Sequence, residues 1–399
     1  MPTPTPFHPR TSALSRSLLY KDWSGYLAVR SYDTHHDEEY YAFRHSAGLL
    51  DVTPLFKYDV TGPDAARLLS RVTVRAAEPQ KVGLVRYLCW CDDRGDVLDD
   101  GTVTRLDDQR FRVTSADPSL RWLQQHARGL DVRVTDVSTE IAALALQGPT
   151  SRAVLASVLG SDVEGLRFFR ATTAPGPAGV GEVLVTRTGY TGDLGYEVWV
   201  ANDGALALWD ALVEAGRPHG LLPAGLDALD VTRVEAGFLL GGVDYTSARS
   251  ARIASQRSTP YELGFGWMVE LDREPFVGRD ALRRANERGP SRELVGLEVD
   301  WPELERLFDA EGLPPELPAM TSRDGVPIYQ RGTGRFIGQA TSRAWSPECK
   351  AYLALATVEA DFAQVGTEVD VEVTVEYRRA PCRAVVRPRP FFDPERKKA

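Results

Sequence analysis

The chain has 399 residues, 43% of them hydrophobic, and a net charge of -9 with acids and bases interspersed. Such a length suggests two or three domains. No apolar run approaches the roughly 20 residues of a membrane span, and the acidic balance argues against a nucleic-acid partner. Its cysteines, Cys89, Cys91, Cys349 and Cys382, are sparse, as expected of a reducing, cytoplasmic setting.

The first stretch, "MPTPTPFHPRTSALSRSLLY", lacks the apolar core of a secretion signal and reads as a loose tail. "DTHHDEEYYAFRHSAGLLDV" then reads as a helix, with Thr34 as cap, Asp37 answering it and Gly48 as the stop. His35 and His36 sit among acids at its start, which suits a solvated first turn better than a metal. "FKYDVTGPDAARLLSRV" predicts a strand, a turn and a helix begun near Asp64. Three short strands and a helix follow in "YLCWCDDRGDVLDDGTVTRLDDQRFRVTSADPSLRWLQQHA", which together suggest an α+β unit. "CWC" places Cys89 and Cys91 on one strand face with no second cysteine pair nearby, so they read as ordinary strand residues and no metal site is expected.

A second α+β stretch begins at "EIAALALQGPTSRAVLASVLG" and runs to "GLDALDVTRVEAG". Within it, "GEVLVTR" and "GYEVWV" flank "TGYTGDLG" like hairpin arms. A period of two sets Tyr196, Val198 and Val200 on one face and Glu197 with Trp199 on the other. The glycines would let backbone approach a ligand closely. A carboxylate beside an indole and near Tyr190 suits a flat heterocycle with two adjacent N–H donors, although a solvent-facing glutamate on a plain hairpin fits the residues equally well. Beyond about residue 280, "ELVGLEVD", "GVPIY", "FIGQATSRAW", "AYLALATVEA", "EVDVEVTVEY" and "PCRAVVRP" predict an antiparallel barrel or sandwich. The acidic, Pro-rich excursion from Asp300 to Met320 interrupts it and reads as a surface loop with a short helix.

Dinucleotide, P-loop, nucleophile-elbow and zinc-helix signatures are all missing. Chemistry must then rest on carboxylates, tyrosines, arginines and a ligand that brings its own reactivity.

Taken together, "AGLLDVTPLFKYDVTGPDA", "VLDDGTVTRL", "LALQGPTSRAVL", "RTGYTGDLGYEVWV", "GLDALDVTRVEAG", "TPYELGFGW", "FVGRDAL", "FIGQATSRAWSP" and "RPFF" occur in the order in which they run in the aminomethyltransferase family. Nearly the whole chain resembles that family, the glycine cleavage T-protein and its folate-dependent relatives. The resemblance implies an α+β fold of three domains in a ring around a central folate channel, the last a β-barrel. It implies a discontinuous folate-binding domain, 1–57 plus 138–250, a ferredoxin-like domain, 58–137, and a barrel domain, 251–399. It implies tetrahydrofolate as co-substrate, with Glu197 as the pterin clamp and Asp100 as the essential carboxylate at the reacting end. Tyr87 and Tyr190 would line the site, Arg233 would lie near the ligand, and Trp267 would pack close by. Residue chemistry alone leaves open whether Asp99 or Asp100 faces inward, and it reads Arg233 equally as a structural ion pair with Glu235 or with an acid of another domain.

Departures from the family pattern bear on the donor. T-proteins usually carry Glu-Asp-Gly where this chain has "GDLGYE", which is closer to the folate domains of sarcosine- and dimethylglycine-oxidising enzymes. "DVTPLFKY" replaces a His-Met pattern after the first helix. These features rank a demethylase acting on a small methylated amine, ether or sulfonium donor first. A T-protein working with a lipoyl carrier protein comes second. A non-catalytic folate-binding assembly protein comes third, because "GLDALDVTRVEAGFLLGG" lacks the cysteine of that class. The excursion Asp300–Met320 is expected to cover a channel entrance or to serve a subunit contact; the sequence does not fix the oligomeric state.

Overall fold

A computed structural model describes residues 1–399. Sheets and helices mix in the α+β manner expected, and three separate sheet systems account for most of the strands. One is a six-stranded sheet in the order Ala171–Pro175, Glu182–Thr186, Gly195–Ala201, Ile141–Gln147, Ala47–Asp51 and Leu221–Pro223. Only its last strand runs parallel to its neighbour. The second is five-stranded, in the order Val85–Cys91, Val97–Arg105, Arg110–Ser115, Phe56–Thr61 and Arg133–Asp136. The third is the closed antiparallel barrel, built from the six C-terminal strands that alternation picks out. No helix is long and apolar enough to cross a membrane.

Period-two alternation sorts the side chains of Gly195–Ala201 as the sequence implies. Tyr196, Val198 and Val200 enter one apolar core with Leu144 and Trp209, while Trp199 enters another with Ala143, Val231 and Leu355. The sheet is therefore covered on both faces, by helices on one and by helix Leu226–Glu235 and the barrel on the other. That helix is bolted to barrel strand Arg335–Ser346 by two buried polar links. Arg233 donates to the Ser342 hydroxyl at 2.7 Å, and the Glu235 carboxylate accepts from Ser346 at 2.6 Å. Buried polar groups of this kind are tolerated only when fully paired, and these are.

Several local expectations need correction. The N-terminal stretch is docked, not loose: Phe7 is fully buried against Trp209, and Thr5 donates to Asp51 at 2.6 Å. An aromatic that can fill a core outweighs the polar composition around it. The helix expected from Thr34 spans only Asp37–His45, with His36 at its cap position and no side-chain cap. Glu39 instead accepts from the backbone of Tyr32 and of Gly225, which anchors that first turn tertiarily. Gly48 lies inside strand Ala47–Asp51, where a Cβ would stand 2.4 Å from the Phe43 ring. It is a packing glycine and not a helix stop.

The excursion holds the expected short helix, Trp301–Asp309, capped by Asp300 accepting from the Glu303 amide at 2.8 Å. Its Leu304 and Phe308 are part of the barrel's own core, so the helix is a structural piece of that barrel.

Candidate functional site

Strand Val97–Arg105 pairs antiparallel with Val85–Cys91, so Asp99 and Asp100 point to opposite faces. Asp99 turns into the protein, where its oxygens accept from the amides of Asp100 at 2.9 Å and Asp117 at 3.0 Å. Asp100 keeps a water-accessible edge and is gripped by two phenols. Tyr87 donates to its Oδ2 at 2.7 Å, and Tyr245 donates to its Oδ1. Burial pushes both carboxyls above the usual carboxylate range, while the two phenols pull Asp100 back toward ionisation. Burial and the Asp100 charge also raise Tyr87 and Tyr245, so both stay protonated and serve as donors.

Tyr245, absent from the sequence-based set, comes from a loop 145 residues further on. Phe265 is the second omission. It meets the Tyr87 ring edge-on, with centroids 5.8 Å apart, at the place where Trp267 was expected to pack. Trp267 itself is 68% exposed. The short 3₁₀ turn Gly266–Met268 explains the difference, for it carries Met268 into the core and swings its neighbour outward.

The hairpin loop contributes the other wall. Tyr190 stacks on Phe238 at 5.5 Å, and its hydroxyl donates to the Leu239 carbonyl. Burial raises this phenol, and the nearby charges of Arg233 and Asp100 act on it in opposite senses. Glu197, opposite Thr186 in the sheet register, accepts on Oε2 from Thr188 at 2.8 Å and from Thr186 at 3.4 Å. No protein donor reaches its Oε1. Burial raises this carboxyl as well, and the two threonines oppose that rise. Thr188 links Glu197 to the loop that carries Tyr190.

The glycines around this loop do a different job from the one expected. A Cβ on Gly189 or Gly195 would stand 1.9 or 2.2 Å from the Gln147 side-chain oxygen. They make room for the Gln147 amide, which donates to the carbonyls of Thr188 and Tyr196 at 3.2 and 3.1 Å. Only Gly192, at φ +76°, is required by backbone conformation.

Arg233 is 1% exposed and spends its guanidinium on protein. It pairs with Asp230 at 2.7 Å and Asp244 at 2.6 Å and also meets Ser342. Glu235, its other expected partner, is taken by Arg44. Arg233 thus braces the loop Phe238–Tyr245 from beneath, and its donors are already committed. The structure therefore brings Asp100, Tyr87 and Tyr190 together with Tyr245, Phe238 and Phe265, and joins Glu197 to them through the hairpin. It leaves Trp267 facing outward.

Comparison with known proteins agrees with this architecture. The GCVT N-terminal domain family matches residues 7–273, and the glycine cleavage T-protein C-terminal barrel domain family matches residues 292–393. An aminomethyltransferase of Halalkalibacterium halodurans is 36% identical over 341 residues, covering 84% of this chain and 85% of that protein. One from Bacillus cytotoxicus is 33% identical over 360 residues, covering 89% of each. A trimethylamine-oxide aldolase of Ruegeria pomeroyi is 34% identical over 412 residues, covering 98% of this chain but 47% of that longer protein. Among solved structures, the glycine cleavage system aminomethyltransferase T from Bartonella henselae superposes with a TM-score of 0.82 at 26% identity, over 98% of this chain and 99% of that one. With both halves matched and relatives above 30% identity along most of its length, the chain belongs to the aminomethyltransferase, or glycine cleavage T-protein, family of tetrahydrofolate-dependent one-carbon transferases.

Proposed function

We propose that this chain transfers a one-carbon unit to tetrahydrofolate, and that the unit arrives as an aminomethyl group on a lipoyl carrier protein; the carbon–sulfur bond breaks, leaving methylenetetrahydrofolate, ammonia and the carrier's lipoyl arm as its dithiol. The observation that carries the site is Asp100, a carboxylate with a solvent-accessible edge held by two phenols beside the aromatic wall of Tyr190. The carrier as donor follows the relatives named aminomethyltransferase, and it reverses the order in which the hairpin and first-helix sequences ranked the donors.

The donor and acceptor set suits a folate. Glu197 offers Oε1, free of protein donors, to the adjacent N–H groups of a pterin, while Thr186 and Thr188 hold Oε2. When bound, tetrahydrofolate supplies the amine nitrogens that accept the carbon. Tyr87 and Tyr245 keep Asp100 oriented and favour its ionised form against burial. Asp100 then takes or stabilises the proton that such a nitrogen gives up, a general-base or electrostatic role. The nearness of Asp100 to the hairpin-borne Tyr190 would supply proximity between the reacting nitrogen and its base. The division into 1–57 plus 138–250, 58–137 and 251–399 is proposed on the same footing, supported by the separate sheets.

Two substitutions separate these roles. Asp100→Asn should bind tetrahydrofolate within a few-fold of wild type and lose turnover. Glu197→Gln should bind about tenfold or more weakly and keep much of its turnover at saturation. Wild-type turnover in Asp100→Asn would remove that residue from the chemistry.

A second reading has one specific observation in its favour. The trimethylamine-oxide aldolase aligns with 98% of this chain, whereas the two aminomethyltransferases cited cover 84% and 89%. A small methylated amine as donor remains the competing proposal on that ground.

A further inference from the structure

After the last barrel strand, Arg378–Arg387, the chain leaves the barrel and crosses to the hairpin loop. The amides of Phe391 and Phe392 both donate to the carbonyl of Glu235, at 2.9 and 3.0 Å. The Phe392 ring lies 4.2 Å from the guanidinium carbon of Arg44, a cation–π contact, and Arg44 in turn donates to the Thr191 carbonyl in the loop at 2.9 Å. Arg396 then closes on the loop itself. It grips the fully buried Asp193 carboxylate in bidentate fashion, at 2.7 and 2.8 Å, and donates to the Arg44 carbonyl at 3.2 Å. Arg187, at the foot of the same loop, donates to the Lys397 carbonyl at 3.3 Å. The Lys397 ammonium sits 5.4 Å from the Phe238 ring on which Tyr190 stacks.

We propose that residues 391–397 form a strap that fixes the hairpin loop Thr188–Leu194, and that Arg396 is the positioning residue that locks it through Asp193. The proposal rests on the reading of that loop as the folate-contacting one. Two features single out this pair. Asp193 is the acid of "GDLG" inside the hairpin loop, its side chain wholly buried, and Arg396 lies beyond residue 393, where the match to the family barrel domain ends. A bidentate arginine–carboxylate pair adds directional restraint as well as charge, which a loop with a glycine at φ +76° lacks on its own. Arg44 approaches Asp193 only to 3.6 Å, so the loss of Arg396 leaves the carboxylate with no well-formed side-chain partner. Asp100, Tyr87 and Tyr245 lie on other elements, so the strap acts on ligand placement and not on the acid–base group.

The test is hydrogen–deuterium exchange of loop peptides in wild type, Arg396→Ala and Arg396→Lys, together with steady-state kinetics in tetrahydrofolate. Arg396 is 41% exposed along its side chain, so both variants are expected to fold. In Arg396→Ala, amides 188–194 should exchange about tenfold faster, the loss of one charge-assisted pair. The flanking strands should keep their protection. KM for tetrahydrofolate should rise about tenfold with kcat within about twofold, and Arg396→Lys should recover part of both effects. Unchanged exchange in the loop would overturn the strap. Faster exchange with an unmoved KM would overturn the positioning role; if Glu197→Gln still weakens tetrahydrofolate binding, the hairpin's assignment to the folate stands, and if it does not, that assignment falls as well. A fall in kcat equal to the rise in KM would also overturn it, by placing Arg396 in the chemical step.

Discussion

Tyr245→Phe isolates the grip on Asp100. The phenylalanine ring refills the same nearly closed space, since Tyr245 is 5% exposed and packs in the core of the five-stranded unit. What disappears is the hydroxyl that donates to Asp100 Oδ1, which leaves Tyr87 as the one phenol on the carboxylate. A hydrogen bond to a charged group contributes about 1.5–3 kcal/mol. About 1.4 kcal/mol is a factor of ten in rate, so kcat/KM at neutral pH should fall roughly ten- to a hundredfold if ionised Asp100 is the working form. The pH dependence follows from the same balance. Burial pushes the Asp100 carboxyl up and the phenols pull it down, so removing one phenol moves it further up. The acid limb of the kcat/KM profile should therefore shift to higher pH, and the deficit should shrink as pH rises. The assay is kcat/KM for tetrahydrofolate from about pH 6 to pH 9, with thermal unfolding as a control for packing. A profile that superimposes on wild type would refute the role assigned to this phenol.

Other expectations can be checked independently. Burial brings the Lys57 ammonium, which donates to the carbonyls of Thr53 and Leu55, down to about 8 from an ordinary 10.5. Its folded form gives up its proton before the unfolded chain does, so stability rises with pH across that window. The unfolding free energy of wild type minus that of Lys57→Met should increase by about 3 kcal/mol between pH 7 and pH 11, measured by denaturant titration; a flat difference would contradict the burial argument. Arg233→Ala takes from the buried Asp244 carboxylate its arginine partner and leaves Asp230 to Arg323 alone, and should cost about 3–5 kcal/mol in the same measurement. Phe308→Ala should cost about 3–5 kcal/mol because its ring is part of the barrel core, whereas a merely covering excursion would tolerate it. Gly192→Ala places a methyl group at φ +76° and 2.5 Å from the Ala236 Cβ, and should weaken tetrahydrofolate binding before it lowers overall stability, as read by calorimetry.

Much of the barrel was legible because antiparallel strands with one buried face advertise themselves by alternation; "EVDVEVTVEY" and "AYLALATVEA" could scarcely form anything else. The same periodicity placed Glu197 and Trp199 on one face of their strand and away from Val198. Asp99 and Asp100 were legible as a pair on opposite faces, but which of them met the site depended on Tyr245, whose position no local pattern encodes. Contacts across long separations also hid the docking of Phe7 and the bolting of helix Leu226–Glu235 to the barrel. Phe265 and Trp267 show a finer limit. Two residues apart, they would share a strand face, but a single 3₁₀ turn sends one to Tyr87 and the other to solvent. The glycine-rich hairpin was recognised, yet Gly189 and Gly195 serve Gln147, because a buried amide needs space as much as a ligand does.

The most direct test of the proposed activity is a donor panel: the protein with tetrahydrofolate and, in separate reactions, aminomethyl-loaded lipoyl carrier protein, methylated amines, ethers and sulfonium compounds. The folate product is read by mass spectrometry and ammonia is measured alongside. Methylenetetrahydrofolate with stoichiometric ammonia, formed from the carrier and abolished by Asp100→Asn, is the expected result. Methyltetrahydrofolate formed from a small donor, with no product from the carrier, would contradict the carrier-linked reading.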